Sequence, residues 1–141
     1  ADGTIDIVAT DHAPHADEDK DCEWASASFG MLGLETAIGI VQQVMVDTGL
    51  LSWRDVARVM SETPARIGRV EHAHGRPLAV GEPANLTLID PQAVYTVDRR
   101  HVASRSHNTP YAGRELPGRA VATFLRGAPT FLDPRFEGAF A

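Results

Sequence analysis

The stretch TIDIVATDHAPH at residues 4–15 decides the expected fold of this 141-residue chain. Residues 4–10 are mostly apolar and rich in β-branched side chains, which predicts a short strand buried on both faces, as in parallel sheets. Pro14 ends that strand, because proline donates no hydrogen bond to a neighbouring strand. The polar residues from Asp11 to His15 therefore stand at the carboxyl end of a buried strand, where α/β barrels place their catalytic groups.

An acidic loop over residues 16–28 separates this strand from a first predicted helix. Apolar residues then recur at alternating spacings of three and four, which predicts a helix with one buried face. Gly49 follows this apolar stripe, at the point where a residue in the left-handed conformation commonly ends a helix. The stripe consists of Met31, Leu34, Ile38, Val41 and Met45.

A second helix is predicted to begin at Ser52, with Asp55 as its partner in a capping box. Thr63 and Pro64 predict a further helical turn, with Thr63 as its N-cap and the proline in the first helical position. The buried face of the second helix is expected to consist of Trp53, Val56, Ala57 and Met60.

The pattern changes to short strands in the second half of the chain. Strand-like segments lie at residues 84–90, 94–97, 119–125 and 130–132, and Pro91 is expected to end the first of them. One buried strand, two or three helices and several later strands together predict an α/β fold.

That order of elements predicts the C-terminal part of a (β/α)8 TIM barrel followed by part of a small β-sandwich domain. Residues 1–70 would supply the last barrel strand and the helices after it, and residues 71–141 the β-rich segment of a composite sandwich. A complete barrel needs about 250 residues. The chain is therefore expected to be part of a longer protein.

The charge balance argues against two classes of partner. The chain has 13 Lys and Arg against 19 Asp and Glu, for a formal net charge of -6. This disfavours a nucleic-acid surface and attraction to an anionic membrane. No apolar run approaches the ~20 residues of a membrane-spanning helix. The single cysteine, Cys22, suits a reducing compartment, so a cytoplasmic protein is expected.

Two side chains after the predicted strand could take part in catalysis. The Asp11 carboxylate could ligate a divalent metal and accept a proton from metal-bound water, whose pKa falls to about 7. His15 lies four residues later and could hydrogen-bond an anionic substrate. The spacing alone leaves a second interpretation open, in which Asp11 caps a loop and the histidines are surface residues.

Four motifs occur in order along the chain. They are TDHAPH at residues 10–15, FGMLGLET at residues 29–36, ANLTLIDP at residues 84–91, and NTPYAG at residues 108–113 with Gly118 and Arg119 after it. Together they resemble the C-terminal third of the bacterial-type dihydroorotases, which belong to the amidohydrolase superfamily. The resemblance implies zinc-dependent, reversible hydrolysis of dihydroorotate to N-carbamoyl-aspartate, a step of pyrimidine biosynthesis.

The resemblance also implies roles for individual residues. Asp11 matches a zinc ligand that serves as general acid and base, and His15 matches a histidine that contacts the carboxylate of the substrate. Phe29 and Gly30 match a segment whose backbone groups hold the substrate ring, although Ser28 stands where the family often has proline. The one or two zinc ions would take their other ligands from earlier barrel strands.

Two alternatives remain beside a dihydroorotase. One is a related cyclic amidase of the hydantoinase or allantoinase type, which usually lacks a histidine at the position of His15. The other is a non-catalytic, dihydroorotase-like subunit that serves as a scaffold for aspartate transcarbamoylase. The resemblance is also compatible with a homo-oligomer. If the protein is an enzyme, its expected partner is a small-molecule substrate. The pair His72 and His74 is expected to lie in a solvated turn away from the metal.

Overall fold

In the computed structural model, which describes residues 2–136, short helices precede a three-stranded antiparallel sheet. Helix α1 spans Asp17–Lys20. Helix α2 joins an α-helical part, Ala37–Val41, to a π-helical turn, Gln42–Val46. Helix α3 runs without a break through Trp53–Ala57, the π-helical turn Arg58–Glu62 and Thr63–Ile67. The strands are β1 (Leu86–Thr96), β2 (Glu115–Leu125) and β3 (Ala128–Leu132), and a 3-10 turn follows at Pro134–Phe136.

The predicted strand at residues 4–10 is not formed within the described part of the chain. Residues 5–10 carry no regular secondary structure, and Ile5 is 80% exposed. The backbone N–H of Val8 donates to the carbonyl of Val59 on α3, at 3.0 Å. A strand buried on both faces needs a neighbouring strand along its edges. Residues 2–136 place none beside this segment, which is why the expected burial is absent.

Helix α2 begins six residues later than the apolar stripe predicts. Met31 and Leu34 lie before the helix and are exposed, so the prediction that they belong to its buried face is wrong. The residues that are buried here are smaller or polar, because this side of the helix lies close against the backbone of β2. They are Thr36, Gly39, Val41 and Gln42. Gly49, with φ of 75°, follows the helix as expected.

The capping box at the start of α3 is confirmed. The Ser52 side chain accepts from the Asp55 backbone N–H at 3.2 Å, and the Asp55 carboxylate accepts from the Ser52 N–H at 3.0 Å. The predicted restart at Thr63 is wrong, because Thr63 has helical φ and ψ of -68° and -44° and is buried. Ala57 is exposed, and the buried positions of α3 are Val56, Val59, Thr63 and Ala65.

The sheet has the order β1-β2-β3, and both pairs are antiparallel. Leu86 faces Phe124 at one end of the first pair, and Thr96 faces Glu115 at the other. Pro91 does not end the first strand. The register shifts between Asp90 and Val94, and such an irregularity accommodates a residue that cannot donate to the ladder. The second sheet of a sandwich is not present among residues 2–136.

Helix α2 packs directly on β2. A Cβ on Gly39 would lie 2.9 Å from the Pro117 carbonyl and 3.0 Å from the Leu116 Cβ, so the helix approaches as closely as glycine allows. Leu116 is fully buried at this contact. The Tyr95 hydroxyl on β1 donates to the Glu35 carbonyl at 3.3 Å, and burial raises the pKa of Tyr95. Among the described residues, no helix combines the length and apolar character needed to cross a membrane.

Candidate active site

Asp11 has a strained backbone conformation and lines an open cleft. Its φ of 45° falls in the left-handed region, which aspartate tolerates better than most residues. The side chain makes no hydrogen bond or ion pair within residues 2–136. The cleft has a volume of about 400 Å³, and Lys20, Trp24, Phe29 and Gly30 also line it. A carboxylate that is both accessible and without a partner can bind a cation or exchange a proton.

The Asp11 loop is held against the segment that follows the acidic loop. His12 and Met31 form a parallel bridge, and the Ala13 N–H donates to the Met31 carbonyl at 2.9 Å. The His12 Nδ1 accepts from the Gly33 N–H at 3.1 Å. His12 therefore fixes the backbone beside the cleft.

The His15 side chain faces the backbone of the same segment. Its Nε2 lies 2.7 Å from the Phe29 carbonyl, and its backbone N–H donates to the Asn108 Oδ1 at 3.3 Å. A carbonyl can only accept, so Nε2 carries a proton and donates it. The remaining ring nitrogen, Nδ1, is then an acceptor in the neutral ring and a donor only in the protonated ring. A carboxylate that contacts Nδ1 therefore requires the imidazolium form.

Phe29 and Gly30 both line the cleft that Asp11 lines. The Phe29 side chain is 95% exposed. Gly30 has φ of 109°, and a Cβ there would lie 2.5 Å from the Ala13 Cβ, so both conformation and space require glycine. The backbone N–H groups of Phe29 and Gly30 have no hydrogen-bond partner in the described part of the chain. These two donors are available to an acceptor atom in the cleft.

Sequence reasoning missed two side chains that contact this segment. The Lys20 ammonium donates to the carbonyls of Ser28 and Gly30, at 2.6 and 3.0 Å. The Asn108 Nδ2 donates to the Ala13 carbonyl at 2.9 Å, and the Gly30 carbonyl lies 3.5 Å from the same nitrogen. A signal existed for both residues. Lys20 is the only lysine in the chain and lies inside an acidic run, and Asn108 opens the NTPYAG motif.

The described residues do not form a complete metal site. Within residues 2–136, no three His, Cys, Asp or Glu side chains lie close enough together to hold a metal ion. His72 and His74 are exposed, and neither is among the residues that line the cleft. Among the described residues that line the cleft, the Asp11 carboxylate is therefore the side chain that could serve as a metal ligand.

Curated proteins provide the decisive comparison. The chain is 64% identical over 133 residues to the dihydroorotase of Streptomyces coelicolor, covering 94% of this chain and 31% of the relative. It is 59% identical over 137 residues to the dihydroorotase of Mycobacterium tuberculosis, covering 97% of this chain and 32% of the relative. The chain matches the C-terminal part of the dihydroorotases. It thus spans about a third of the length of these dihydroorotases, and no family model matches it.

The solved structures that this chain resembles are also longer proteins, of which it matches only a part. The L-hydantoinase of Arthrobacter aurescens superimposes with a TM-score of 0.83 at 32% identity, over 92% of this chain and 29% of that protein. The D-hydantoinase of a Thermus species gives 0.77 at 25% identity, over 93% and 29%. The chain therefore has the fold of part of a hydantoinase, while its sequence identity to the dihydroorotase of Streptomyces coelicolor, 64%, is twice its identity to the Arthrobacter aurescens enzyme.

Proposed function

We propose that the protein containing this chain is a dihydroorotase, which reversibly hydrolyses dihydroorotate to N-carbamoyl-aspartate in pyrimidine biosynthesis. One observation supports this above all. The unpaired Asp11 carboxylate shares a cleft with the free N–H groups of Phe29 and Gly30, in a chain 64% identical to a curated dihydroorotase. A base and two hydrogen-bond donors in one cleft are the groups that hydrolysis of a cyclic amide needs.

Asp11 is proposed to act as the general base and then as the general acid. It accepts a proton from the attacking water, and it returns that proton to the ring nitrogen when the carbon–nitrogen bond breaks. One carboxylate can serve both steps in sequence, because the first leaves it protonated for the second. Asp11 would also be one ligand of a zinc ion, which would act as a Lewis acid and lower the pKa of bound water.

His15, Phe29 and Gly30 are proposed to bind the substrate. The imidazolium form of His15 would contact the carboxylate of dihydroorotate through Nδ1, and the Phe29 and Gly30 N–H groups would contact the ring. A charge-assisted contact of this kind is worth about 1.5–3 kcal/mol. It favours a ring that bears a carboxylate over the uncharged rings expected for the hydantoinase alternative.

The wider setting belongs to the same proposal. We place residues 1–70 at the end of a (β/α)8 barrel and residues 71–141 in a composite β-sandwich, with the missing parts supplied by a longer chain. The remaining zinc ligands would come from the earlier barrel strands. We further propose a cytoplasmic location, and either a homo-oligomer or an assembly with aspartate transcarbamoylase.

The test is a ring-opening assay on the full-length protein and its Asp11→Asn variant. We expect the parent to hydrolyse dihydroorotate and the variant to lose turnover while it keeps its fold, because the substitution removes basicity and charge but preserves shape. The matched control is Asp21→Asn, an exposed aspartate in the acidic loop whose carboxylate makes no hydrogen bond or ion pair in the described chain. It should leave turnover unchanged.

Other outcomes would change the assignment. Turnover of Asp11→Asn within about tenfold of the parent would show that Asp11 is not the base, since general-base catalysis contributes at least about a hundredfold. A parent that opens only uncharged cyclic imides would be a hydantoinase-type enzyme. A folded parent that opens neither ring would support the scaffold interpretation.

A further inference from the structure

We propose that Lys20 and Asn108 are positioning residues that set the backbone of residues 28–30 for substrate binding. This inference rests on the proposed function, and it goes beyond the roles of Asp11 and His15. Lys20 lies at the end of α1, and Asn108 lies in the loop between β1 and β2. Two distant parts of the chain thus converge on one three-residue segment.

Side chains hold all three carbonyls of this segment. The Ser28 carbonyl accepts from Lys20 at 2.6 Å, and the Phe29 carbonyl accepts from His15 at 2.7 Å. The Gly30 carbonyl accepts from Lys20 at 3.0 Å, with the Asn108 amide at 3.5 Å. Bonds from an ammonium to carbonyl oxygens are stronger than neutral ones. Lys20 therefore contributes most to holding the outer two carbonyls.

Fixing these carbonyls also fixes the N–H groups that follow them. A trans peptide is planar, and its carbonyl and N–H point in opposite directions. The bond from Lys20 to the Ser28 carbonyl therefore aims the Phe29 N–H away from the ammonium. The bond from His15 to the Phe29 carbonyl likewise aims the Gly30 N–H away from the His15 imidazole. These are the two donors left without a partner in the described chain.

Asn108 links this segment to the Asp11 loop. Its Oδ1 accepts from the His15 N–H at 3.3 Å, and its Nδ2 donates to the Ala13 carbonyl at 2.9 Å. The Asn108 side-chain amide thereby fixes the loop that carries Asp11, the proposed base, and His15, a proposed substrate-binding residue. Its own backbone carbonyl also accepts from the Leu32 N–H at 3.2 Å. The distance between base and binding donors is thus set partly by a residue of the β-rich part.

The experiment compares three variants of the full-length protein. Lys20→Met removes the ammonium but keeps the length of the side chain, and Lys20→Arg restores a charged donor. Asn108→Asp keeps the Oδ1 acceptor and removes the amide donor. Arg99→Met is the control, since it removes one exposed positive charge that is not part of the cleft lining.

Two measurements are made on each variant. The first is KM and kcat for dihydroorotate, and the second is hydrogen exchange of the hydrogen-bonded amides that flank the segment, those of Ser28 and Leu32, which donate to the Asp19 and Asn108 carbonyls. We expect Lys20→Met and Asn108→Asp to raise KM by about tenfold and to speed amide exchange, because each loses hydrogen bonds worth about a factor of ten. The effect on kcat should be smaller. Lys20→Arg should recover most of the loss, and Arg99→Met should match the parent.

The exchange measurement separates this proposal from the proposed function. A parent with no activity on dihydroorotate would overturn the function, while faster exchange in Lys20→Met would still support the positioning role. Unchanged exchange in both Lys20→Met and Asn108→Asp would overturn the positioning role, whatever the activity. If Lys20→Met does not fold, Asn108→Asp and Lys20→Arg decide the question. Asn108→Asp keeps the shape of the original side chain, and Lys20→Arg keeps its charge.

Discussion

Gly30 shows how strongly one residue of the cleft is constrained. Its φ of 109° is a conformation that residues with a side chain rarely adopt, and a Cβ would overlap the Ala13 Cβ at 2.5 Å. We expect Gly30→Ala to displace the binding segment and to lower kcat/KM by more than about tenfold, because misplaced binding groups lose transition-state contacts. A ring-opening assay of the full-length variant measures this loss.

Gly81→Ala is the matched control for that substitution. Gly81 has a similar φ of 91°, but nothing lies within 4 Å of its added Cβ. Both variants bear backbone strain of about 1–2 kcal/mol, whereas the collision with Ala13 occurs only at Gly30. Equal activity losses in the two variants would mean that strain, and not the close approach of Ala13, limits the site.

The lowered pKa of Asp133 makes the free energy of unfolding of the protein depend on pH. It is 2% exposed, and the side chain and backbone N–H of Arg135 lower its pKa to about 2. An unfolded aspartate has a pKa of about 3.9. The folded-state value is the lower one, so the stabilisation is present above about pH 4 and is lost as the pH falls through about 2. Urea unfolding of the parent and Asp133→Asn should therefore differ near neutral pH and converge in acid. A difference that stays constant with pH would contradict this.

The candidate site residues were predicted from the family resemblance, since the local spacing alone also allowed a surface loop. The bond from His15 to the Phe29 carbonyl brings the TDHAPH and FG segments together. Asp11, Phe29 and Gly30 line one cleft, and His15 lies beside it. Asn108 was missed because it is 93 residues from His15 in the chain, and no local pattern encodes such a contact. Lys20 was missed because an acidic loop with one lysine is more often simply solvated. The backbone strain at Asp11 likewise has no sequence signal beyond the residue type.

The capping box at the start of α3 is expected to protect the first turn of that helix. Ser52→Ala removes the acceptor of the Asp55 N–H and breaks the reciprocal pair. Loss of such a cap costs about 1 kcal/mol, which corresponds to about fivefold faster local opening. Hydrogen exchange of the first amides of α3 measures it. The control is Ser61→Ala on the same helix, an exposed serine whose side chain makes no hydrogen bond in the described chain. Equal exchange in the two variants would contradict a role for the cap.

The capping box was predictable because it lies within four consecutive residues. The start of α2 was not, since the apolar spacing continues upstream of the helix into residues that the structure leaves exposed. The buried face of α2 depends on β2, which approaches so closely that Gly39 and not a larger apolar residue lies at the contact. Likewise, the strand at residues 4–10 depends on neighbours that the described residues do not supply. Long-range partners, more than local pattern, decide these elements.

The helical and β-rich parts of the described chain are joined by specific hydrogen bonds. Arg114 donates to the Gln43 side chain at 2.6 Å, and the Ala103 N–H donates to the Glu35 carboxylate at 2.9 Å. Asn108 adds the bonds to the Asp11 loop. The sheet therefore helps to position the cleft even though the residues that line it all come from the first 31 residues. A division of the chain near residue 70 would cut through these contacts.

The isolated chain is expected not to hold a zinc ion by itself. Three protein ligands are usual for a catalytic zinc ion, and residues 2–136 bring no three candidate side chains together. A polypeptide limited to these 141 residues should therefore retain no stoichiometric zinc after dialysis, whereas the full-length protein should retain it. Elemental analysis of both proteins checks this, with Asp11→Asn in the full-length protein as the comparison. One equivalent of zinc held by the isolated chain and lost in its Asp11→Asn variant would mean that the chain builds the site alone, contrary to the proposed division of ligands.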